Sequence, residues 1–294
     1  MKRVLARCPA KLNLFLEVLG RRPDGYHDLS TVMVPIDLFD TLEVREARRF
    51  ELEVEGPPLP GTNTVEKAYR AVARRRKIPG VRARLKKGIP AGSGMGGGSS
   101  DGAAMIEALD TLFDLGLDRH AVAAEIGSDV NFFLERGAAL CTGRGEKVAP
   151  LASETRVHVV VAWPGFSLST AEVYTRVREF LTRTPRDVID FLNTYDRGGP
   201  GTLGRALFNR LESAAFDLHP KLGQARRALA RLPFAGARMT GSGSALYGLC
   251  ASRREAERLA RKVREMGSHP FVAAASSLAG ERSWKSARSA SSSS

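Results

Sequence analysis

The sequence predicts an α+β protein of two domains, residues 1–150 and 151–280, followed by a disordered serine-rich tail over 281–294. Three observations carry this. Strictly alternating apolar residues near the N-terminus mark strands, a glycine-rich loop runs straight into helical spacing, and the pattern changes past Pro150. A chain of 294 residues is also long for one core, so two domains is the natural expectation.

The elements follow in order. From Lys11 to Val18 the chain alternates, with Leu12, Leu14, Leu16 and Val18 on one face and Lys11, Asn13, Phe15 and Glu17 on the other. Lys11 and Asn13 therefore lie side by side. A turn at Arg22-Pro23-Asp24-Gly25 leads through Tyr26-His27 into a second apolar run, Leu29 to Ile36. Thr41–Arg45 and Phe50–Val54 read as a further strand pair, and Asn63 caps a helix reaching Arg76. Val81–Leu85 alternates again and delivers the chain to the glycine loop. Beyond the loop, Ile106, Leu109, Leu112 and Phe113 set a helix starting near Ser99 or Ser100. A short helix runs from Asp118 to Gly127, and a hairpin over Gly137–Val148 turns at Gly143-Arg144-Gly145.

In the second half, Val157–Val161 reads as a buried strand, followed by helical runs near 171–181, 187–194, 203–214 and 221–231. Strands at Arg238–Met239 and Ala245–Leu249 flank Gly241-Ser242-Gly243-Ser244. A helix near 254–266 and a strand at Phe271–Ala275 close the pattern. Past residue 280 the composition falls mainly to Ser, Ala, Arg and Lys and ends in four serines, a stretch that cannot bury a core.

Composition excludes several classes. Hydrophobic residues make up 43% of the chain, yet no run approaches the roughly 18 to 20 apolar residues that span a bilayer. Arg7, Pro9 and Lys11 interrupt any signal-peptide core, so a cytoplasmic protein without a membrane partner is expected. Cys8, Cys141 and Cys250 are distant and odd in number, which fits reduced structural thiols. The net charge of +13 raises nucleic acid as a partner. Its basic residues are spread along helix faces among alanines, however, which favours solvated faces around an anionic small-molecule site.

The chemistry concentrates in Pro90-Ala91-Gly92-Ser93-Gly94-Met95-Gly96-Gly97-Gly98-Ser99-Ser100, where nine residues from Gly92 hold five glycines and three serines. Glycine permits positive φ and leaves no Cβ in the way, so successive N–H groups converge on an anion at a helix start. Nucleotide phosphate is the ligand this implies. A dinucleotide fingerprint fits poorly, because no second buried strand ends in an acid about 20 residues on. A Walker A loop lacks its lysine here, and protein-kinase H-R-D and D-F-G are absent. Ser99 and Ser100 read equally as contacts to phosphate or Mg²⁺ and as ordinary helix caps.

Pro-x-x-x-Gly-Met-Gly followed by small residues and Ser-Ser, together with the early Lys11-x-Asn13 strand and the late Gly241-Ser242-Gly243-Ser244 turn, resembles the GHMP kinases. Arg22-Pro23-Asp24-Gly25-Tyr26-His27 and Gly127-Ser128-Asp129-Val130 extend the likeness over about residues 4 to 275 and narrow it to members acting on a cytidylylated polyol. The resemblance implies an ATP-dependent kinase with Mg²⁺, monomeric or homodimeric, that does not bind nucleic acid. It also implies a two-domain fold: an N-terminal domain with a left-handed βαβ crossover, a ferredoxin-like C-terminal domain and the active site in the cleft between them.

On spacing alone, Asp129 reads as a helix N-cap and Lys11 as a solvated edge charge; the resemblance makes Asp129 the base and Lys11 its partner. It assigns cytosine to a slot between Tyr26 and Tyr174, with His27 and Asn13 beside it, Thr170 near the substrate and Gly241, Ser242 and Gly243 closing over it. Asn63 reaches adenine, and the Mg²⁺ ligands stay unassigned. Another GHMP kinase acting on homoserine or a sugar, and a non-catalytic nucleotide- or RNA-binding module, remain alternatives. Three departures stand out: Asn131 where the family usually writes proline, Arg210 where an acid is commoner, and Gly102 in place of alanine.

Overall fold

The computed structural model describes residues 2–56, 62–181, 185–278 and 287–288. The first half of the chain folds as β1 (Arg3–Arg21), β2 (His27–Ala47), β3 (Glu51–Glu55), α1 (Thr64–Arg75), β4 (Gly80–Lys86), α2 (Gly97–Phe113), α3 (Arg119–Ile126), α4 (Val130–Leu134), β5 (Ala139–Gly143) and β6 (Lys147–Pro150). The second half continues with β7 (His158–Trp163), α5 (Thr170–Arg176), α6 (Val188–Arg197), α7 (Pro200–Ala206), β8 (Phe208–Asn209), α8 (Leu211–Leu218), α9 (Pro220–Leu229), β9 (Gly236–Met239), β10 (Leu246–Cys250), α10 (Arg253–Glu265) and β11 (Phe271–Ser276). β12 (Ala287–Arg288) pairs with the start of β1. Those two residues of the tail are thus strand rather than disordered; the remainder of 281–294 lies outside the described residues.

Two sheets result. The larger has the order β12-β1-β2-β4-β3, with β5 and β6 attached to β2 and with β8 beside β1. The smaller has the order β11-β7-β10-β9, antiparallel throughout. Numbered along the chain that order is fourth, first, third, second, the ferredoxin-like arrangement of strands with helices between the first and second and between the third and fourth.

Three local expectations change. Residues 41–45 belong to the long β2, and their partner is β4; β3 lies beyond β4, parallel to it and joined to it through α1. The run expected to be helical over 203–214 is split into α7, β8 and α8, because Phe208 and Asn209 pair with Phe15 and Leu16 of β1. α2 begins at Gly97, so Ser99 and Ser100 sit inside its first turn and do not cap it.

The core explains the site. Helices α1 and α2 cover β2 and β4 through Val65, Ala68, Ile106 and Leu109. A second cluster joins Leu12, Leu14 and Phe15 of β1 to Val159, Val161 and Tyr247 of the smaller sheet. β1 is therefore covered on both faces, and the polar side of its alternation is buried as well: Lys11 is 3% exposed and Asn13 3%. A charge so placed must be paired.

At Gly102 an added Cβ would meet Thr64 and Ile126 at ordinary contact, 3.6 Å or more. Gly102→Ala should therefore stabilise the protein by about 0.5–1 kcal/mol through helix propensity and reduced unfolded-state entropy, read as a rise in denaturant midpoint at constant m.

Candidate active site

Lys11 is held from both ends. Its backbone N–H donates to the Met95 carbonyl at 2.9 Å, tying β1 to the glycine loop, and its Nζ donates to Asn13 Oδ1 at 2.6 Å. The same Nζ lies 3.6 Å from Asp129 Oδ2, with side-chain exposures of 4% and 35% for the lysine and the aspartate. A buried ammonium thus meets a carboxylate that stays open to an incoming ligand. Asn13 is oriented by Nδ2 donating to Thr31 Oγ1 at 2.9 Å and by the Thr240 hydroxyl, 3.3 Å from its Oδ1.

Asp129 stands at the N-cap of α4, yet its side chain makes no capping hydrogen bond. The segment is fixed instead by Asn131, whose Nδ2 donates to the Glu146 carbonyl at 3.2 Å on the β5–β6 turn. An amide hydrogen bond to that turn stands where proline would have fixed φ.

The glycine loop packs as tightly as its composition implies. Gly96 has φ of +72°, and a Cβ there would fall 3.0 Å from Lys11 Cγ and from the Phe133 ring. At Gly94 a Cβ would lie 2.4 Å from the Thr240 carbonyl. Only glycine allows the loop, β1 and the late turn to converge.

Two cavities meet at this loop. One of about 330 Å³ is lined by Asn63, Pro90, Ala91, Gly92, Ser93, Gly94, Gly96, Gly97, Gly98 and Ser99. The other, about 650 Å³, is lined by Lys11, Asn13, Tyr26, His27, Asp129, Thr170, Tyr174, Gly241 and Ser242. Gly94 and Gly96 belong to both walls. Met95 and Ser100 are buried, and Gly243 packs its carbonyl against Gly94; none of the three lines a cavity wall. Asn63 caps α1 through Oδ1, which accepts from the Val65 N–H at 2.9 Å.

At the far end of the larger cavity Tyr26 is 55% exposed, whereas His27 is buried with its ring 5.3 Å from that of Tyr174. Burial, reinforced by Arg178 and Arg21, lowers the His27 pKa, so the ring is neutral at neutral pH, and its Nε2 has no hydrogen-bond partner. Burial also raises the Tyr174 pKa, with the Asp129 charge adding to it. Because the folded pKa of His27 lies below the ordinary 6.5, the native state favours the neutral ring. That contribution is complete above the unfolded value and is lost as pH falls through the folded one. His27→Asn should accordingly flatten the acid limb of a Tm–pH curve.

The late turn is tied to its neighbours by side-chain contacts that the sequence does not show. Thr170 Oγ1 and Ser242 Oγ are 2.9 Å apart, linking α5 to the late turn, and Asn209 Nδ2 donates to the Met239 and Gly241 carbonyls at 2.8 and 2.9 Å. On the wall of the smaller cavity, Lys87 joins two buried carboxylates: Asp40, which it contacts closely, and Asp101, also on that wall, at 2.7 Å. Asp40 Oδ1 also accepts from the Gly88 and Ile89 N–H groups at 2.6 and 2.8 Å, anchoring the entry to the loop. Burial pushes Asp101 up to about 7 despite Lys87.

Comparison with known proteins gives the class. The family models "GHMP kinases N terminal domain" and "GHMP kinases C terminal" match residues 63–137 and 192–269. The chain is an ATP-dependent kinase of the GHMP class. The 4-diphosphocytidyl-2-C-methyl-D-erythritol kinase of Pelotomaculum thermopropionicum is 37% identical over 279 residues, covering 92% of this chain and 96% of that protein. The Bacillus subtilis enzyme of the same name is 34% identical over 270 residues, covering 89% and 93%. A crystal structure of 4-(cytidine 5'-diphospho)-2C-methyl-D-erythritol kinase superposes with a TM-score of 0.80 at 36% identity, covering 94% of this chain and all of that one. Within the GHMP kinases the chain belongs to the 4-diphosphocytidyl-2-C-methyl-D-erythritol kinase family. A homoserine kinase from Cytophaga hutchinsonii shares the fold alone, with a TM-score of 0.71 at 16% identity. Among the described residues no helix is long and apolar enough to cross a membrane.

Proposed function

We propose that this chain transfers the γ-phosphoryl group of ATP to the 2-hydroxyl of 4-diphosphocytidyl-2-C-methyl-D-erythritol, a step of the non-mevalonate route to isoprenoid precursors. The observation that carries the reading is the Lys11–Asp129 pair, 3.6 Å apart, on a cavity that shares Gly94 and Gly96 with the loop cradle. Residues 1–150 and 151–280 act as the two domains that enclose these cavities.

Phosphoryl transfer asks mainly for alignment and for charge to meet charge. The N–H groups of Gly92–Gly98 and the start of α2 hold the triphosphate, with Asn63 offering its amide to adenine. Across the shared wall, Asp129 accepts the proton of the substrate hydroxyl. Lys11, fixed by Asn13, keeps that carboxylate aimed and draws electron density from the attacking oxygen. Cytosine lies against Tyr26 and Tyr174, with His27 at its polar edge. Thr170 and the turn Gly241-Ser242-Gly243 close the substrate side.

Mg²⁺ fits this donor set as an ion carried in by the nucleotide. Such an ion keeps several waters and takes few protein ligands, and Ser99, on the wall of the loop cavity, would offer it a hydroxyl oxygen. When bound it neutralises charge on the phosphate oxygens.

The test offers ATP with the cytidylylated polyol, with its uncytidylylated counterpart, and with homoserine, and follows ADP release. Strong preference for the cytidylylated acceptor is expected. Preference for either of the others overturns the proposed substrate.

A further inference from the structure

The hydrogens around Asn13 can be assigned from groups that play only one role. The Phe15 carbonyl can only accept, so the Thr31 hydroxyl, 2.6 Å away, gives it its one proton. Toward Asn13 the Thr31 oxygen is then an acceptor, and the amide turns its nitrogen to it at 2.9 Å. A backbone N–H can only donate, so the Asn13 N–H gives its proton to Thr240 Oγ1 at 3.1 Å. The Thr240 proton is left for Asn13 Oδ1, 3.3 Å away, the same oxygen that accepts from Lys11 Nζ at 2.6 Å. Two hydroxyls thus fix which end of the amide faces the lysine.

One of those hydroxyls comes from the other half of the chain. Thr240 lies 227 positions beyond Asn13, is fully buried just past β9, and is on neither cavity wall among the described residues. Both of its neighbours are braced: Asn209 bonds the Met239 and Gly241 carbonyls, and the Met239 N–H donates to Glu212 Oε1 at 2.7 Å. The Tyr247 hydroxyl donates to the Asn13 carbonyl at 3.0 Å, a second tie from the smaller sheet to β1. A buried hydrogen-bonded path therefore runs from β8 and α8 through Thr240 and Asn13 to Lys11, 3.6 Å from Asp129. In such a low-dielectric setting a paired polar network rigidifies the groups it joins.

We infer that Thr240 is a positioning residue for phosphoryl transfer: its hydroxyl, held by the C-terminal half, sets the Asn13 amide so that the Lys11 ammonium points at Asp129. The inference rests on the pair chemistry proposed above and gives the turn after β9 a task apart from closing over the substrate. Without this hydroxyl the amide loses one of the two partners that set its sense. A reversed amide would bring its NH2 group against the ammonium, donor against donor, and the lysine would turn away from the carboxylate.

A double-mutant cycle on kcat separates positioning from support of the fold. Thr240→Val keeps the shape of the side chain and removes the hydroxyl, whereas Thr240→Ser keeps the hydroxyl. Thr240→Val should lower kcat by about 10- to 100-fold, the cost of a misplacement of about 1 Å, with the KM for ATP within about twofold. Thr240→Ser should recover most of that loss. In a Lys11→Met background the same Thr240→Val change should lower kcat by less than about twofold, because residues that act as one unit do not add. Equal losses in the two backgrounds overturn the inference, since they mark a residue that only supports the fold; so does an unchanged kcat in Thr240→Val. If Thr240→Val does not fold, Thr240→Ala set against Thr240→Ser, both lacking the methyl group, gives the same comparison in the same two backgrounds. Should Lys11→Met itself turn over at the wild-type rate, the proposed pair is wrong and this inference falls with it, a result distinct from an undiminished Thr240 effect.

Discussion

Asp129→Asn should lower kcat by about 10²- to 10⁴-fold, the range that a positioned proton acceptor contributes, while ATP affinity stays nearly constant. The amide keeps the shape of the carboxylate beside Lys11 but cannot take a proton from an alcohol. In the proposed arrangement ATP occupies the loop cavity, across the Gly94–Gly96 wall from Asp129, so its binding should not depend on this charge. The measurement pairs steady-state kinetics with calorimetric titration of an unhydrolysable ATP analogue. Unchanged turnover would show that another group accepts the proton. Lost ATP binding would show that removing the counter-charge of a lysine with 4% side-chain exposure rearranged the loop.

The largest expected effect on stability lies at Arg210. Its guanidinium donates two hydrogen bonds, Nε and Nη2 each at 2.7 Å, to the two oxygens of Glu17, which is fully buried in β1. The Val18 and Arg186 N–H groups add one each at 2.9 Å. Burial pushes the Glu17 pKa up, but these donors outweigh it and hold the pKa below the usual carboxylate range. Arg210→Met strands a buried charge and should cost about 3–5 kcal/mol, on the order of 10 °C in Tm for a chain of this size.

The pH dependence of that loss has a definite sign. The wild-type contribution is present above the unfolded carboxylate pKa and is lost as pH falls through the lowered folded value. In the variant the carboxyl titrates higher, so the deficit should shrink on acidification. Glu17→Gln in the Arg210→Met background should restore part of the stability, because it removes the stranded charge. A variant as stable as the wild type at neutral pH would show that the pair contributes nothing net.

Arg210 also shows how far a sequence can be read. It stood out as a departure from a family pattern, yet nothing local named Glu17 as its partner, 193 positions away. The same limit applies to β3: its segment reads as the partner of the strand next to it in sequence and lies instead beside β4. The cluster of Lys87, Asp40 and Asp101 was invisible for the same cause: each residue is unremarkable in its own segment, and only the close approach of three segments makes them one unit.

Periodicity and residue chemistry determined the strands and most helices, the side-by-side placement of Lys11 and Asn13, and the tight glycine loop that leads into α2. Those properties depend on dihedral preferences and on which face a side chain takes, both set within a few residues. Tertiary structure alone decided that β1 is covered on both faces, that Asp129 turns from capping α4 to face Lys11, and that Thr240 meets Asn13. Burial and Coulomb attraction act across space between segments remote in the chain, and spacing along the chain does not record which segments meet.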